Sequence, residues 1–156
     1  MDNEKLLKEL EKSFEKTKKE FKLKSNLGDL DRIFSIKDEV LKEKFVSENL
    51  AKQISHRIVE IYMAWNEYLH SLIMPNPQNM LNMGESKVFN QSEKKEIVEI
   101  MKKMMELSTL NSLIGLNHDT SKQAEFIDES VITWDHEFKP KLLKVIKKVN
   151  KEWGDK

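Results

Sequence analysis

The chain has 156 residues, 35% of them charged and 38% apolar, with 27 basic side chains against 27 acidic ones and no cysteine. That length suits one domain with a real hydrophobic core, and so large an apolar share is not that of a disordered chain. The absence of cysteine excludes disulfides, thiolate metal sites and a cysteine nucleophile, and the zero charge balance removes any long-range pull toward nucleic acid or an anionic membrane. Only Arg32 and Arg57 are arginine, which counts further against a sequence-specific nucleic-acid reader. The opening MDNEKLLKEL is charged from its second residue, unlike a secretory leader, and no apolar run nears the roughly 18 residues of a membrane span. A cytoplasmic location is therefore expected.

Apolar residues recur at steps of three and four between sparse Gly and Pro, so every long element reads as an amphipathic helix. The first helix is expected from about Asn3 to Leu23, with Leu7, Leu10, Phe14, Thr17 and Phe21 as a narrow seam. So narrow a stripe suits a bundle edge or an intermolecular coiled-coil contact, and residues 1–25 are open to reading as a protruding helix. SNLG at 25–28 ends it. A helical region from Asp29 to Phe45 follows, with a candidate break and cap at Ser35. Ser47 is the expected cap of the longest helix, about Glu48 to Ile73, with Ile54, Ile58, Ile61, Trp65, Tyr68 and Leu72 inward.

Residues 74–91 form a connector, MPNPQNMLNMGESKVFNQ, too long to be structureless inside a compact domain. Asn76 as cap, Pro77 as first helical residue and Gly84 as terminator predict a short helix there. Ser92 opens another long helix to Leu116, with Ile97, Ile100, Met101, Met104, Met105 and Leu107 inward and an apolar face that widens toward its end, so this helix is expected to be well buried. Thr120 and Gln123 have capping-box spacing for a helix to Glu137 striped by Ala124, Ile127, Val131, Trp134 and Phe138. Pro140 begins the last helix, with Leu142, Ile146, Val149 and Trp153 inward. The expected fold is an all-α single domain over 1–156, a bundle of about six helices, four of them long.

Three charged constellations and one apolar one are candidate sites. His56, Glu60, Glu67 and His70 share one helix face and include an ExxH, a spacing that di-iron bundles use. That site needs two such pairs plus two further carboxylates, so a wet surface stripe is the better account. Glu96 and Glu99 form an ExxE, and Glu125 and Asp128 an ExxD. Spacing of three puts each pair on one face, and two antiparallel helices would gather the four carboxylates around Mg²⁺, which holds triphosphates and activates water. The arrangement is similar to that of the all-α nucleoside triphosphate pyrophosphohydrolases of the MazG type. The resemblance is confined to the segment from Glu96 to Asp128, and a Glu-rich chain produces such spacings readily. It implies a Mg²⁺-dependent phosphohydrolase as the alternative function.

Lys144, Lys147, Lys148 and Lys151 share one face of the last helix. They are read as partners of the acidic 119–137 segment, if the two helices lie antiparallel, in preference to a nucleic-acid footprint. The connector is unusually apolar, with Met74, Met80, Leu81, Met83, Val88 and Phe89 beside Asn76, Asn79, Asn82 and Asn90. Methionine adapts to irregular partners, and long folded loops carry function. The leading expectation is thus a non-enzymatic interaction or adaptor protein that binds a protein partner or self-associates. Its contact region is Met74, Asn76, Asn79, Met80, Met83 and Phe89, with Met80, Met83 and Phe89 as anchors.

Overall fold

A computed structural model describes residues 2–155. It is all-α, with no strand among the described residues, and has eight α-helical segments. They are α1 (Asn3–Phe21), α2 (Leu27–Phe34), α3 (Ile36–Glu43), α4 (Leu50–Ile73), α5 (Met80–Ser86), α6 (Gln91–Leu116), α7 (Thr120–Thr133) and α8 (Lys139–Gly154). A π-helical turn, Trp134–Phe138, joins α7 to α8 in one unbroken rod. No described helix is long and apolar enough to cross a membrane.

Short side chains at helix starts explain most boundaries. Asp2, Asn26, Asn49, Asn79, Asn90 and Asp119 each accept a backbone N–H from the first turn. Several expected caps move accordingly. Asn49 caps α4 while Ser47 accepts only from the Asn49 amide. Asp119 caps α7, and Gln123 is buried instead of completing a capping box. Ser35 does break the second region, in a left-handed conformation at φ 53°, but its side chain caps nothing.

α4 lies at the centre, packing most extensively on α6 and next on α7. Its buried face is Ile54, Ile58, Tyr62, Leu69 and Leu72. The expected Ile61, Trp65 and Tyr68 flank this face half-buried, because α4 is covered on a side one residue further round than its aromatic spacing implies. Leu6, Leu10 and Phe14 of α1 are core residues, and α1 packs on α3, α4 and α7. α1 therefore lies against the bundle, and its narrow seam is satisfied within the chain.

The last α-helix begins at Lys139, one residue before Pro140, but follows the preceding helix without a break. Proline removes an N–H and crowds the carbonyl four residues back. The wider π turn, closed by the Lys139 amide donating to the Trp134 carbonyl, carries the rod across this point. Phe34, Tyr62, Trp134 and Phe138 meet edge to face around it, at centroid separations of 5.4 to 6.4 Å. Because α7 and α8 run end to end, the basic face of α8 cannot lie against acidic α7. Lys144 reaches Glu96 at 3.5 Å and Lys148 pairs with Glu93, both on α6.

Candidate interaction surface

The connector folds across the end of α4 through a set of side-chain to backbone bonds. A helix leaves its last carbonyls without intrahelical partners. Here Asn82 Nδ2 donates to the Ser71 carbonyl at 2.9 Å, and Ser86 Oγ donates to the Leu72 carbonyl at 2.7 Å. Asn82 Oδ1 in turn accepts from the Asn76 amide at 2.6 Å, while Asn79 Oδ1 caps α5 through the Asn82 amide. Glu85 is held from two sides, by the Tyr68 hydroxyl at 3.1 Å and Trp153 Nε1 at 2.8 Å. Burial, with the Glu85 charge beside it, pushes the Tyr68 hydroxyl up to about 12.

On this stapled frame three apolar side chains face solvent: Met74 is 68% exposed, Met80 87% and Leu81 67%. The six sequence-selected residues therefore divide. Met74 and Met80 stand out in water, and Met83 is half-buried. Phe89 is only 7% exposed and belongs to the core, so it is not an anchor on the surface. Its ring covers the floor of a groove of about 490 Å³ between α6 and α8, next to Ile97, Ile100 and Val145. Asn76 and Asn79 lie at the surface, but their side-chain oxygens already accept from the Gln78 and Asn82 amides and staple the connector instead of forming a free polar rim. The short helix begins at Met80 and runs through Gly84, because Asn79 and not Asn76 is its cap.

The four carboxylates of the alternative reading do not converge. Glu96 pairs with Lys144 of α8, and Glu99 pairs with Lys102 on its own helix at 3.5 Å. Glu125 faces solvent. Asp128 is engaged in holding the α1–α2 turn: Oδ1 accepts from the Ser25 amide at 2.8 Å and the Ser25 hydroxyl at 2.6 Å, and Oδ2 accepts from the Lys24 amide at 2.9 Å. A carboxylate so occupied has few lone pairs left for a hard cation. Among the described residues no group of three or more His, Cys, Asp and Glu side chains is placed to hold a metal ion. The quartet thus does not fit a Mg²⁺ centre, for Glu96 is turned toward α8 and Asp128 toward the α1–α2 turn, while Glu99 and Glu125 are exposed. On α4, His56 pairs with Glu60 at 2.9 Å, and Glu67 and His70 are exposed, as a surface stripe would be.

One apolar surface escaped the sequence reading. The widening face at the end of α6 is not buried: Met105, Leu110, Leu113 and Leu116 are exposed, Leu113 at 58% and Leu116 at 79%. The available signal was charge, not hydrophobicity. The runs Ser71–Gly84 and Leu107–Asn117 contain no Asp, Glu, Lys or Arg, in a chain where such residues are 35%. No known protein family, curated protein or solved structure matches the chain.

Proposed function

We propose that the chain is a non-enzymatic interaction module whose connector, presenting Met74, Met80 and Leu81, docks into an uncharged apolar pocket of a protein partner. The observation that carries this reading is the combination of exposure with anchoring. Ordering a segment opposes folding by about 1–2 kcal/mol per residue, and apolar groups left in water return none of it to the folded state. A connector tied down at Ser71, Leu72 and Glu85 nevertheless holds Met74, Met80 and Leu81 outward. A bound state gains from that arrangement, because side chains already positioned lose less entropy on docking. The lack of charge from Ser71 to Gly84 supports an apolar partner surface with hydrogen-bonding groups at its edge.

The test compares two immobilised baits, the wild-type chain and Met80→Ser/Leu81→Ser, whose substitutions touch only exposed side chains. A protein retained saturably by the first and lost from the second is then purified and titrated by calorimetry. A 1:1 complex weakened at least about 100-fold by the double substitution supports the reading. Identical proteins on both baits would overturn it.

A further inference from the structure

The outer face of α6 has the form of a surface made to meet itself. Met105, Thr109, Ser112 and Leu116 follow one another at steps of four, three and four, a single stripe on the helix, with exposed Leu113 alongside. The first half of α6 is studded with paired charges, among them Glu93, Glu96, Glu99 and Lys102. After Glu106 charge is withdrawn until the helix ends. Exposed positions there would serve the helix as well with Lys or Glu, which have similar helix propensity to Leu. Leucine at the most exposed of these sites, Leu116 at 79%, adds little to the fold.

The two hydroxyl residues of the stripe are already satisfied. Thr109 Oγ1 donates to the Met105 carbonyl at 2.9 Å and Ser112 Oγ to the Ser108 carbonyl at 3.3 Å. Covering them leaves no donor unpaired, so their desolvation is inexpensive, and their small size lets a second helix approach closely. The stripe is also symmetric about its midpoint. In an antiparallel pairing Met105 faces Leu116 of a second copy and Thr109 faces its Ser112, large against large and small against small, with the same contacts repeated by the two-fold axis.

We infer that this face of α6 is the contact of a two-fold homodimer. The symmetry of the stripe selects the second copy as occupant, and its electrostatics permits it. A two-fold contact sets a patch against itself, so any charge in it meets its like. This stripe carries none, and the chain's net formal charge of zero adds no repulsion at longer range. The surface is separate from the connector, which lies at the opposite end of α6.

The experiment is sedimentation equilibrium of the full chain from about 1 to 100 µM, a range that brackets micromolar dissociation constants. The wild type is expected to reach twice the 18.4 kDa chain mass. Leu113→Glu/Leu116→Glu, which alters only exposed positions, is expected to weaken the dimer at least about 100-fold with an unchanged helical circular-dichroism spectrum. Leu143→Glu, at an exposed apolar site of α8, is expected to leave the dimer intact. A wild type monomeric at every concentration overturns the inference, as does a dimer that survives the double α6 substitution. So does a dimer lost equally in Leu143→Glu.

Discussion

Phe89 and Met80 stand nine residues apart in one connector, and replacing each by Ser in separate chains should have opposite consequences. Phe89 is 7% exposed, over Ile97, Ile100 and Val145, with Lys148 Nζ 5.7 Å from its ring centroid. A buried phenylalanine removes about 150 Å² or more from water, worth about 4 kcal/mol at about 25 cal/mol per Å². Large-to-small replacements of Phe in cores cost about 3–5 kcal/mol. Because the groove beside Phe89 is open on one side and can relax, the lower end applies, about 3 kcal/mol. For a chain of this size that is a fall of about 6–12 °C in Tm. Met80, at 87% exposure, should change stability by less than about 0.5 kcal/mol. Urea unfolding followed by far-UV circular dichroism measures both, provided the m-values agree. A loss below about 1 kcal/mol for Phe89→Ser, or above it for Met80→Ser, would refute the division of the connector into core and surface.

Arg57 links three elements, pairing with buried Glu39 at 3.4 Å and donating Nε to the Phe34 carbonyl at 2.9 Å. Arg57→Met should cost about 2–3 kcal/mol, somewhat below the loss on breaking a fully buried pair, and adding Glu39→Gln should restore more than half in a double-mutant cycle. Asp128→Asn should cost about 1–2 kcal/mol, because the Lys24 and Ser25 amides lose a charged acceptor; an unchanged denaturation midpoint would contradict its role as a clamp. The Asn90 backbone N–H, and next the Lys148 ammonium, hold the Glu93 carboxyl below the ordinary glutamate range. A carboxyl depressed in the folded state stabilises above its unfolded value and loses that contribution as pH falls through the folded value. The stability gap between wild type and Glu93→Gln should therefore be present at neutral pH and close in acid, as acid-titrated thermal melts will show.

The all-helical bundle was legible because periodicity reports which residues want burial, and the sparse Gly and Pro mark where chains turn. What periodicity does not report is which neighbour covers a face. Ile61 and Tyr62 are adjacent on α4, and only the placement of α6 and α7 decides that Tyr62 is the enclosed one. The same limit applies to α6, whose widening apolar face implies burial but leaves Leu110, Leu113 and Leu116 exposed. Pro140 does mark the start of α8, but a single π turn before it avoids the proline clash and joins α7 and α8 in one rod, where the sequence leaves them free to lie antiparallel. That change moved the partners of Lys144 and Lys148 from α7 to α6. For the candidate site, composition singled out the connector, but its asparagines looked like a binding rim until their bonds to α4 showed them to be its fasteners.

The central claim is that Met80 and Leu81 are contact residues that the fold itself does not need. The most direct measurement is the retained-protein profile of Met80→Ser/Leu81→Ser set beside that of the wild type, on baits of matched Tm. The expected result is a protein that binds the wild type saturably and leaves with the two side chains. Equal profiles from two equally folded baits would contradict it.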